Sequence, residues 1–325
     1  MEVESVSYGF SVTGKRKNNE DHFCIETIQT LNDSIKVLAV ADGMGGMAAG
    51  EIASKTAVQT LLEQLKIELQ KSQYPKTALK LAGSAIQNKI RSLIASDAGL
   101  AGMGTTLTVA IIYEQNKLVY GNLGDSRIYR IFNDEIDLLT KDHSFIQQYR
   151  DENNGELPDY LKNNYSNLLT KSFDGGKDAL DTYPFDKDYF ELQDGTLLVL
   201  CSDGLILNEL NEEEEFKRII LQAQNIEDAA RDLLNNALLR GSKDNITVAI
   251  YEFGRHNRYP DETLKTIEII KGHVHNRWNR ISRKGYILIV LATIILISFL
   301  FLLSHAGTFI DFLTGVKKFI KSIRH

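Results

Sequence analysis

The sequence predicts an α/β fold of the α+β type, with antiparallel strands and helix pairs in one body, followed by a single C-terminal transmembrane helix. Six short runs rich in Val, Ile, Leu and Tyr are bounded by Gly, Asn and Asp, as is typical of strands. Several of these runs follow one another after only a few residues, which favours antiparallel pairing, because parallel strands need long crossovers. Near the C-terminus one apolar run is long enough to cross a membrane.

The predicted strands lie at residues 36–41, 106–113, 118–121, 126–132, 196–201 and 246–253. Asn116, and Asn133 with Asp134, predict hairpin turns between consecutive strands. Helical spacing predicts helices over 48–71 and 76–96, the second beginning at Pro75, and a further pair over 212–223 and 226–239. The apolar stripe of the first helix is predicted to contain Ile52, Ala53, Thr56, Ala57, Thr60 and Leu61. Residues 145–181 are polar and rich in Asn and Asp, which indicates a mobile insertion.

The net charge divides the chain into two parts. The 325 residues carry a formal charge of −6, but residues 271–325 hold nine Lys or Arg and one acid, Asp311. That segment therefore carries +8, and residues 1–270 carry −14. An acidic body excludes a nucleic-acid-binding function, which would require a basic surface. Cys24 and Cys201 are the two cysteines of the chain, so we expect core residues in a reducing compartment rather than a disulfide framework.

The apolar run at residues 286–303 is 18 residues long and contains no charged residue. As a helix it would span about 27 Å, close to the thickness of a bilayer core. A buried globular helix is the alternative, although such helices usually carry a polar face.

The residues on either side of this run bear on its orientation and surroundings. The run is preceded by four bases, Arg277, Arg280, Arg283 and Lys284, which favour a cytoplasmic body. No secretory signal is expected at the start of the chain. Residues 309–323 follow helical spacing and predict either an interfacial helix on membrane lipid or a solvated tail.

Acidic residues stand where predicted strands begin or end. Asp42 and Asp203 each follow an apolar run and are followed by Gly. Asp244 instead comes shortly before an apolar run, which begins at Ile246. Asp125 lies between two strands, and Glu20 adjoins Asp21. Each acid alone has a structural explanation as a turn or strand cap. Several carboxylates converging at buried strand ends would repel one another unless cations held them, and oxygen ligands suit Mg²⁺ or Mn²⁺.

Seven motifs occur in a characteristic order: Arg16-Lys-Asn-Asn-Glu20-Asp21, Ala-Asp42-Gly43-Met-Gly45-Gly46, Gly104-Thr105-Thr106, Gly124-Asp125-Ser126-Arg127, Thr140-Lys-Asp142-His143-Ser144, Ser202-Asp203-Gly204 and Lys243-Asp244-Asn245-Ile-Thr247. In this order they resemble the bacterial form of the protein phosphatase 2C-like (PPM) metal-dependent Ser/Thr phosphatases. The resemblance covers residues 5–254. It implies two stacked antiparallel sheets flanked by helix pairs, with a dinuclear Mn²⁺ or Mg²⁺ centre between the sheets.

The resemblance also implies a role for individual residues. Asp42 would bridge both ions, Asp203 and Asp244 would hold one, and the carbonyl of Gly43 would hold the other. A weaker third ion is implied at Asp125 together with Asp203. Glu20 and Asp21 would orient metal-bound waters, and Arg16 would grip the substrate phosphate. The insertion at 145–181 corresponds to a flap beside the active site.

The predicted function is hydrolysis of phosphoserine and phosphothreonine in proteins, by in-line attack of a hydroxide that bridges the two ions. The expected partners are phosphorylated protein substrates of a Ser/Thr kinase and membrane lipid. The resemblance implies a catalytic domain over residues 1–254. Composition and apolar patterning predict a polar and basic linker at 255–284, the transmembrane helix at 285–304 and a short basic amphipathic tail at 305–325. The alternatives are a regulatory module that binds phosphoproteins without catalysis and a small-molecule phosphohydrolase.

The family often carries a His shortly after the bridging aspartate, and in some members that His is the general acid. Here Met44 and Met47 occupy the nearby positions. The sequence therefore leaves the general acid open. His22 and His143 are available by composition, and a structural role is favoured for His143.

Overall fold

Two antiparallel sheets lie at the centre of the described part of the chain. The structure, a computed structural model, describes residues 5–31, 33–46, 49–71, 74–155, 157–158, 160–161, 165, 168–206 and 212–254. These residues belong to one compact unit of the chain. The first sheet consists, in spatial order, of β1 (Ser5–Val12), β12 (Ile246–Phe253), β11 (Thr196–Cys201), β7 (Arg127–Phe132) and β8 (Glu135–Leu138).

The second sheet consists, in spatial order, of β10 (Phe190–Glu191), β6 (Lys117–Leu123), β5 (Leu107–Tyr113), β3 (Ser34–Met44) and β2 (Asp21–Gln29). Two short strands lie beside this path: β4 (Gly104–Thr105) pairs with β3, and β9 (Asp181–Tyr183) pairs with β6. All the pairings in both sheets are antiparallel.

The described helices are α1 (Ala49–Gln70), α2 (Pro75–Ser96), α3 (Phe145–Glu152), α4 (Glu212–Gln222) and α5 (Ile226–Leu239). Pro75 begins α2, where its missing N–H has no helical partner to lose. α5 begins after Asn225, whose side chain accepts a hydrogen bond from the backbone N–H of Asp228 at 2.9 Å. Short 3₁₀ turns occur at Ala98–Leu100 and Asp203–Leu205.

Alternation along β3 explains why this strand is buried on both faces. Val37, Ala39 and Ala41 pack in the core formed with α1 and α2. Leu38 and Val40 point the other way and pack in the core between the two sheets. Successive side chains of a strand lie on opposite faces, so Asp42 shares the inter-sheet face with Leu38 and Val40.

The same alternation holds in the first sheet. Val199 and Cys201 of β11 pack in a core that contains Phe216 of α4 and Leu233 of α5. Leu198 and Leu200 of β11 belong instead to the core between the sheets. The resulting order is one helix pair, two sheets and a second helix pair.

The predicted α+β architecture of two antiparallel sheets with helices is confirmed. Asn133 and Asp134 do form a hairpin turn, between β7 and β8, and both have φ in the left-handed region, at 50° and 61°. Ile52, which was predicted to lie in the apolar stripe of α1, is exposed, whereas Leu65 completes that stripe in the core.

Within the described residues, no helix combines the length and apolarity needed to span a bilayer. The predicted transmembrane run at 286–303, the juxtamembrane linker and the amphipathic tail all lie outside the described residues.

Candidate active site

Strand alternation brings the predicted acids to one end of the inter-sheet space. Asp21 lies directly opposite Asp42 in the pairing of β2 with β3. Phe23 and Ile25 pack against the inter-sheet core, so Asp21 shares their face of β2. On the first sheet, Asp203 follows β11 and Asp244 precedes β12. Acids from both sheets therefore meet at one end of the sandwich.

A cavity of about 590 Å³ opens at this end of the sheets. Its wall contains seven of the eight predicted site residues: Arg16, Glu20, Asp42, Gly43, Asp125, Asp203 and Asp244. Lys17, Asn18, Met44, Gly45, Gly46, Thr106, Leu169 and Asn245 complete the lining. The eighth predicted residue, Asp21, is buried behind the wall, where its Oδ2 accepts hydrogen bonds from Ser202 at 2.7 Å and from Thr247 at 2.6 Å.

The backbone of Asp42 is held by two threonines. Its N–H donates to Thr106 Oγ1 at 2.9 Å, and its carbonyl accepts from the N–H of Thr106 at 2.9 Å and from Thr105 Oγ1 at 2.8 Å. The hydroxyl of Thr106 also shares a hydrogen bond with Ser126 at 2.7 Å. These bonds fix the Cα of Asp42 and leave its carboxyl free to face the cavity.

Gly43 stands at a place where no side chain fits. A Cβ there would lie 2.1 Å from the carbonyl oxygen of Gly50 and 2.6 Å from that of Glu20. The start of α1 therefore packs directly on the backbone of β3 beside the cavity. This close approach needs glycine because of space rather than backbone angle.

The carboxyl groups of the site disfavour one another's ionisation. Burial raises the pKa of Asp42 well above its usual value, and Asp21, Asp203 and Asp125 raise it further. Burial and the neighbouring charge of Asp203 raise the pKa of Asp125 to about 8. Asp21 has its pKa raised to about 7, mainly by burial, although hydrogen bonds from Thr247 and Ser202 act in the opposite direction. The pKa of Asp203 is also raised, by burial and then by Asp244.

Asp42 and Asp203 lie in hydrogen-bonding contact, and this contact adds to the raised pKa of Asp42 and partly offsets the raised pKa of Asp203. Arg16 donates to Asp244 Oδ2 at 2.6 Å. In this arrangement, no three His, Cys, Asp or Glu side chains within the described part of the chain form a ready-made ion site. Asp244 would have to exchange Arg16 for a divalent ion in order to serve as a ligand.

The donor set nevertheless fits hard divalent cations. Oδ1 of Asp203 and Oδ1 of Asp21 are buried and make no hydrogen bond within the described residues. Buried carboxylate oxygens without a partner are costly unless a cation or water satisfies them. The available ligands are carboxylate and carbonyl oxygens, which suit Mn²⁺ and Mg²⁺ better than softer metals.

Asn245 organises the loop that carries Arg16, a role that the sequence interpretation did not assign. Its Nδ2 donates to the carbonyls of Thr13 and Asn18, each at 2.8 Å, and its Oδ1 accepts from the N–H of Glu20 at 2.8 Å. The order of Asp244-Asn245 in the motif was visible in the sequence. The partners of the amide are far apart along the chain, so no local pattern could have identified them.

Arg127 and Asp142 form a partly buried ion pair next to Asp125. Arg127 Nη2 donates to Asp142 Oδ2 at 2.7 Å, and Nε donates to Oδ1 at 3.0 Å. This two-point contact ties the start of β7 to the segment that follows β8. The chain on both sides of Asp125 is therefore fixed by long-range contacts, because Gly124 bonds to His143 as well.

Neither of the two candidate histidines lines the cavity. His143 Nδ1 accepts a hydrogen bond from the N–H of Gly124 at 3.1 Å, and Nε2 lies 2.9 Å from Asp181 Oδ2. This geometry places the proton on Nε2 and supports a structural role for His143. His22 is half-buried on β2, and burial lowers its pKa. Met44 occupies the cavity wall, and Met47 lies outside the described residues.

Three kinds of comparison relate the chain to known proteins. The family model for protein phosphatase 2C matches residues 9–240. The serine/threonine phosphatase stp of Listeria innocua is 33% identical over 242 residues, which cover 73% of this chain and 91% of that protein. The serine/threonine protein phosphatase PstP of Mycobacterium tuberculosis is 31% identical over 245 residues, which cover 74% of this chain and 44% of that longer protein.

Solved structures resemble the fold as well. The catalytic domain of PstP, in complex with two manganese ions, gives a TM-score of 0.65 at 29% identity and covers 77% of this chain and 99% of that one. The serine/threonine phosphatase of S. agalactiae gives a TM-score of 0.66 at 28% identity, covering 78% of this chain and 100% of the other.

Proposed function

We propose, from the premise that this chain belongs to the protein phosphatase 2C family of metal-dependent Ser/Thr protein phosphatases, that its cavity hydrolyses phosphoserine and phosphothreonine in proteins at two Mn²⁺ or Mg²⁺ ions. The observation that carries the proposal is the convergence of Asp42, Asp203 and Asp244 from two sheets on one cavity beside Arg16. The structure of a relative with two manganese ions supports the choice of metal.

Asp42, Asp203, Asp244 and the carbonyl of Gly43 would hold the two ions, and Asp125 with Asp203 would hold a weaker third. When bound, such ions supply a nucleophilic water of lowered pKa and neutralise charge on the phosphoryl oxygens. Thr105 and Thr106 keep the backbone of Asp42 in place, so the carboxylate needs little rearrangement to act as a ligand. Glu20 would orient water from the cavity wall, and Asp21 would do so from behind it.

Arg16 would hold the phosphoryl group of the substrate. Its side chain is 52% exposed at the cavity rim, and its partner Asp244 belongs to the proposed ligand set. A guanidinium can donate to two phosphoryl oxygens at once, which places the phosphorus for in-line attack and stabilises the charge of the transition state. Exchange of Asp244 for phosphate as the partner of Arg16 would accompany binding.

The test is release of phosphate from a phosphothreonine peptide and from an aryl phosphate by the full chain in detergent micelles. Wild type with Mn²⁺ is expected to be active, and EDTA or the substitution Asp42→Asn is expected to abolish the activity. Lys80→Gln provides a control, because Lys80 is exposed on α2 and does not line the cavity. Full activity of Asp42→Asn would show that the ligand set is wrong.

The proposal extends to location. Residues 286–303 would anchor the chain to a membrane, with residues 1–254 in the cytoplasm, which is supported by the apolarity of this run and by the four bases before it. Protease treatment of intact cells tests this arrangement. Protection of the catalytic domain until the cells are lysed is expected, and digestion from outside would refute the orientation.

A further inference from the structure

The rim of the cavity carries a concentration of positive charge on an acidic body. Residues 13–18, which we name the basic loop, contain Lys15, Arg16 and Lys17 in succession and no acid. All three side chains are exposed, and Arg16, Lys17 and Asn18 line the cavity. Residues 1–270 as a whole carry −14, so this loop opposes the charge of the body that bears it.

The basic loop is held firmly against the strand that begins beyond Asp244. Asn245 bonds to the carbonyls at both ends of the loop, at Thr13 and Asn18, with distances of 2.8 Å. Gly14 has φ of +60°, and a Cβ at this residue would lie 2.1 Å from the carbonyl oxygen of Asp244. The loop backbone is thus fixed at the cavity, and the lysine side chains extend from a rigid base.

Among the described residues, two of the three charges of the basic loop have no ion-pair partner. Arg16 pairs with Asp244, whereas Lys15 and Lys17 form no ion pair with any described residue. Lys243, next to Asp244, is exposed as well and adds to the positive charge on this side. Lysines that border a substrate cavity and have no internal partner attract anionic groups of an approaching ligand.

We propose that the basic loop selects phosphoprotein substrates with Asp or Glu close to the phosphorylated residue. Three residues of extended peptide span about 10 Å, so side chains within three positions of a phosphoresidue in the cavity come near the loop that borders it. The inference rests on the proposed function and names its substrate class. Lys17 is the main specificity-determining residue, because it lines the cavity, and Lys15 is the second.

The experiment compares two phosphothreonine peptides that differ only in three flanking residues, all Glu in one and all Gln in the other. The readout is the ratio of kcat/KM for the acidic peptide over the neutral peptide, measured within each variant of the full chain. Lys17→Gln is expected to lower this ratio by about threefold, Lys17→Glu to lower it further, and Lys17→Arg to retain it. The double change Lys15→Gln with Lys17→Gln is expected to bring the ratio close to one.

Lys80→Gln removes an exposed lysine away from the cavity and is expected to keep the wild-type ratio. Because the ratio is internal to each variant, loss of folded protein does not change it. In wild type, raising the NaCl concentration from 50 to 500 mM is expected to reduce the ratio, since added salt screens exposed charges. A ratio that stays constant across the Lys17 series and across salt would overturn the inference. Absence of phosphate release from both peptides by wild type with Mn²⁺ would instead refute the proposed function.

Discussion

At Asp42 the backbone and the side chain have separate partners. The backbone N–H and C=O bond to Thr106 and Thr105, and the carboxyl faces Asp203 and the cavity. A carboxyl whose burial raises its pKa is costly to keep in place. The hydroxyls of the Gly104-Thr105-Thr106 motif therefore hold in position a group that its neighbours would otherwise repel.

Replacing Thr106 by Val is expected to lower phosphatase activity by about 10- to 100-fold, because small misplacements of a reacting group have effects of this size. The substitution removes the acceptor of the Asp42 N–H and the partner of Ser126. A buried N–H left unpaired costs about 1–3 kcal/mol, so the free energy of unfolding should fall by a similar amount. Urea unfolding and the rate on an aryl phosphate measure the two effects.

Thr106→Ser is the matched control, since serine keeps the hydroxyl and loses only the methyl group. It is expected to retain most of the activity and of the stability. If Thr106→Val and Thr106→Ser have the same activity and the same free energy of unfolding, the hydroxyl of Thr106 does not position Asp42.

The buried thiol of Cys24 is expected to react poorly with alkylating reagents. Cys24 is 9% exposed, and burial raises the pKa of its thiol to about 12. Because the thiolate is the reactive form, Cys24 is expected to resist iodoacetamide at pH 8 in the folded protein. Mass spectrometry of the labelled protein measures the reaction. Ser96→Cys introduces an exposed thiol as a positive control, and unfolding in guanidinium should expose Cys24. Rapid labelling of native Cys24 would contradict its burial.

The sequence was most informative about residues that interrupt a pattern. An acid at the end of a buried apolar run, as at Asp42 and, one residue beyond its run, at Asp203, stands out because the apolar run gives no other reason for a charge. Ser202 and Thr247 were present in the motifs but received no role. Their hydroxyls support Asp21 from a different sheet, and only the paired strands bring them together.

At the scale of elements, the interior strands were predicted from the sequence and the edge strands were not. β5 and β11 are buried along their whole length and read as continuous apolar runs. β1 and β2 form sheet edges and are partly exposed. β1 alternates small or polar residues with apolar ones from Ser5 to Val12, a period-2 signal that could have identified this strand, whereas β2 mixes polar and apolar residues without a clear period. β9 and β10 are too short to give a period at all.

The insertion at 145–181 was expected to be a mobile loop, and its described part is anchored at several points. It begins with α3 and ends with the start of β9. Gln87 of α2 donates to the carbonyls of Ser172 and Asp178 at 3.0 Å, and Arg91 donates to the carbonyl of Gly175 at 2.7 Å. A polar composition predicts exposure, but it does not reveal side chains of a distant helix that satisfy the loop backbone.

His143 joins the two ends of this insertion to the turn at Asp125. Its backbone N–H donates to the carbonyl of Gly124 at 2.9 Å, and its carbonyl accepts from Thr170 at 2.8 Å. The imidazole bonds to the N–H of Gly124 and to Asp181. Burial lowers the pKa of His143, and Lys171 lowers it further, whereas Asp181 and Asp142 raise it. The folded protein therefore favours the neutral form of the His143 imidazole.

His143→Asn is expected to lower the free energy of unfolding at pH 7.5 by about 1–3 kcal/mol, because a buried hydrogen bond is lost or weakened. In the unfolded chain His143 titrates near 6.5, above its lowered pKa in the folded state. The stability that wild type gains from the neutral ring is complete above pH 6.5 and declines as the pH falls below that value.

The difference in stability between wild type and His143→Asn should therefore shrink between pH 7.5 and pH 5. Urea unfolding at both pH values, in EDTA, measures it. A difference that does not change with pH would mean that the imidazole is not held neutral by its surroundings.

At the scale of the whole molecule, the acidic site joins two sheets that are otherwise packed through apolar side chains. Asp42 belongs to the second sheet, and Asp203 and Asp244 adjoin strands of the first. Burial of the Asp42 and Asp203 carboxyls, and then repulsion from neighbouring carboxyls, raises the pKa of both groups and opposes the packing of the sheets at this end. An ion held by ligands from both sheets would replace the repulsion between carboxylates by attraction of each carboxylate to the ion, and would thereby link the two sheets.

Mn²⁺ is therefore expected to raise the melting temperature of the protein, measured by calorimetry on the full chain in micelles. A ligand at 100 times its Kd stabilises the folded state by about 2.7 kcal/mol, which corresponds to about 5–10 °C for a domain of this size. Asp203→Asn should melt at a higher temperature than wild type in EDTA, because it removes one of the repelling carboxyls, and should respond little to Mn²⁺. Lys80→Gln should behave as wild type does. If Asp203→Asn instead responds to Mn²⁺ as fully as wild type, the stabilising ion is held elsewhere and does not link the two sheets through Asp203.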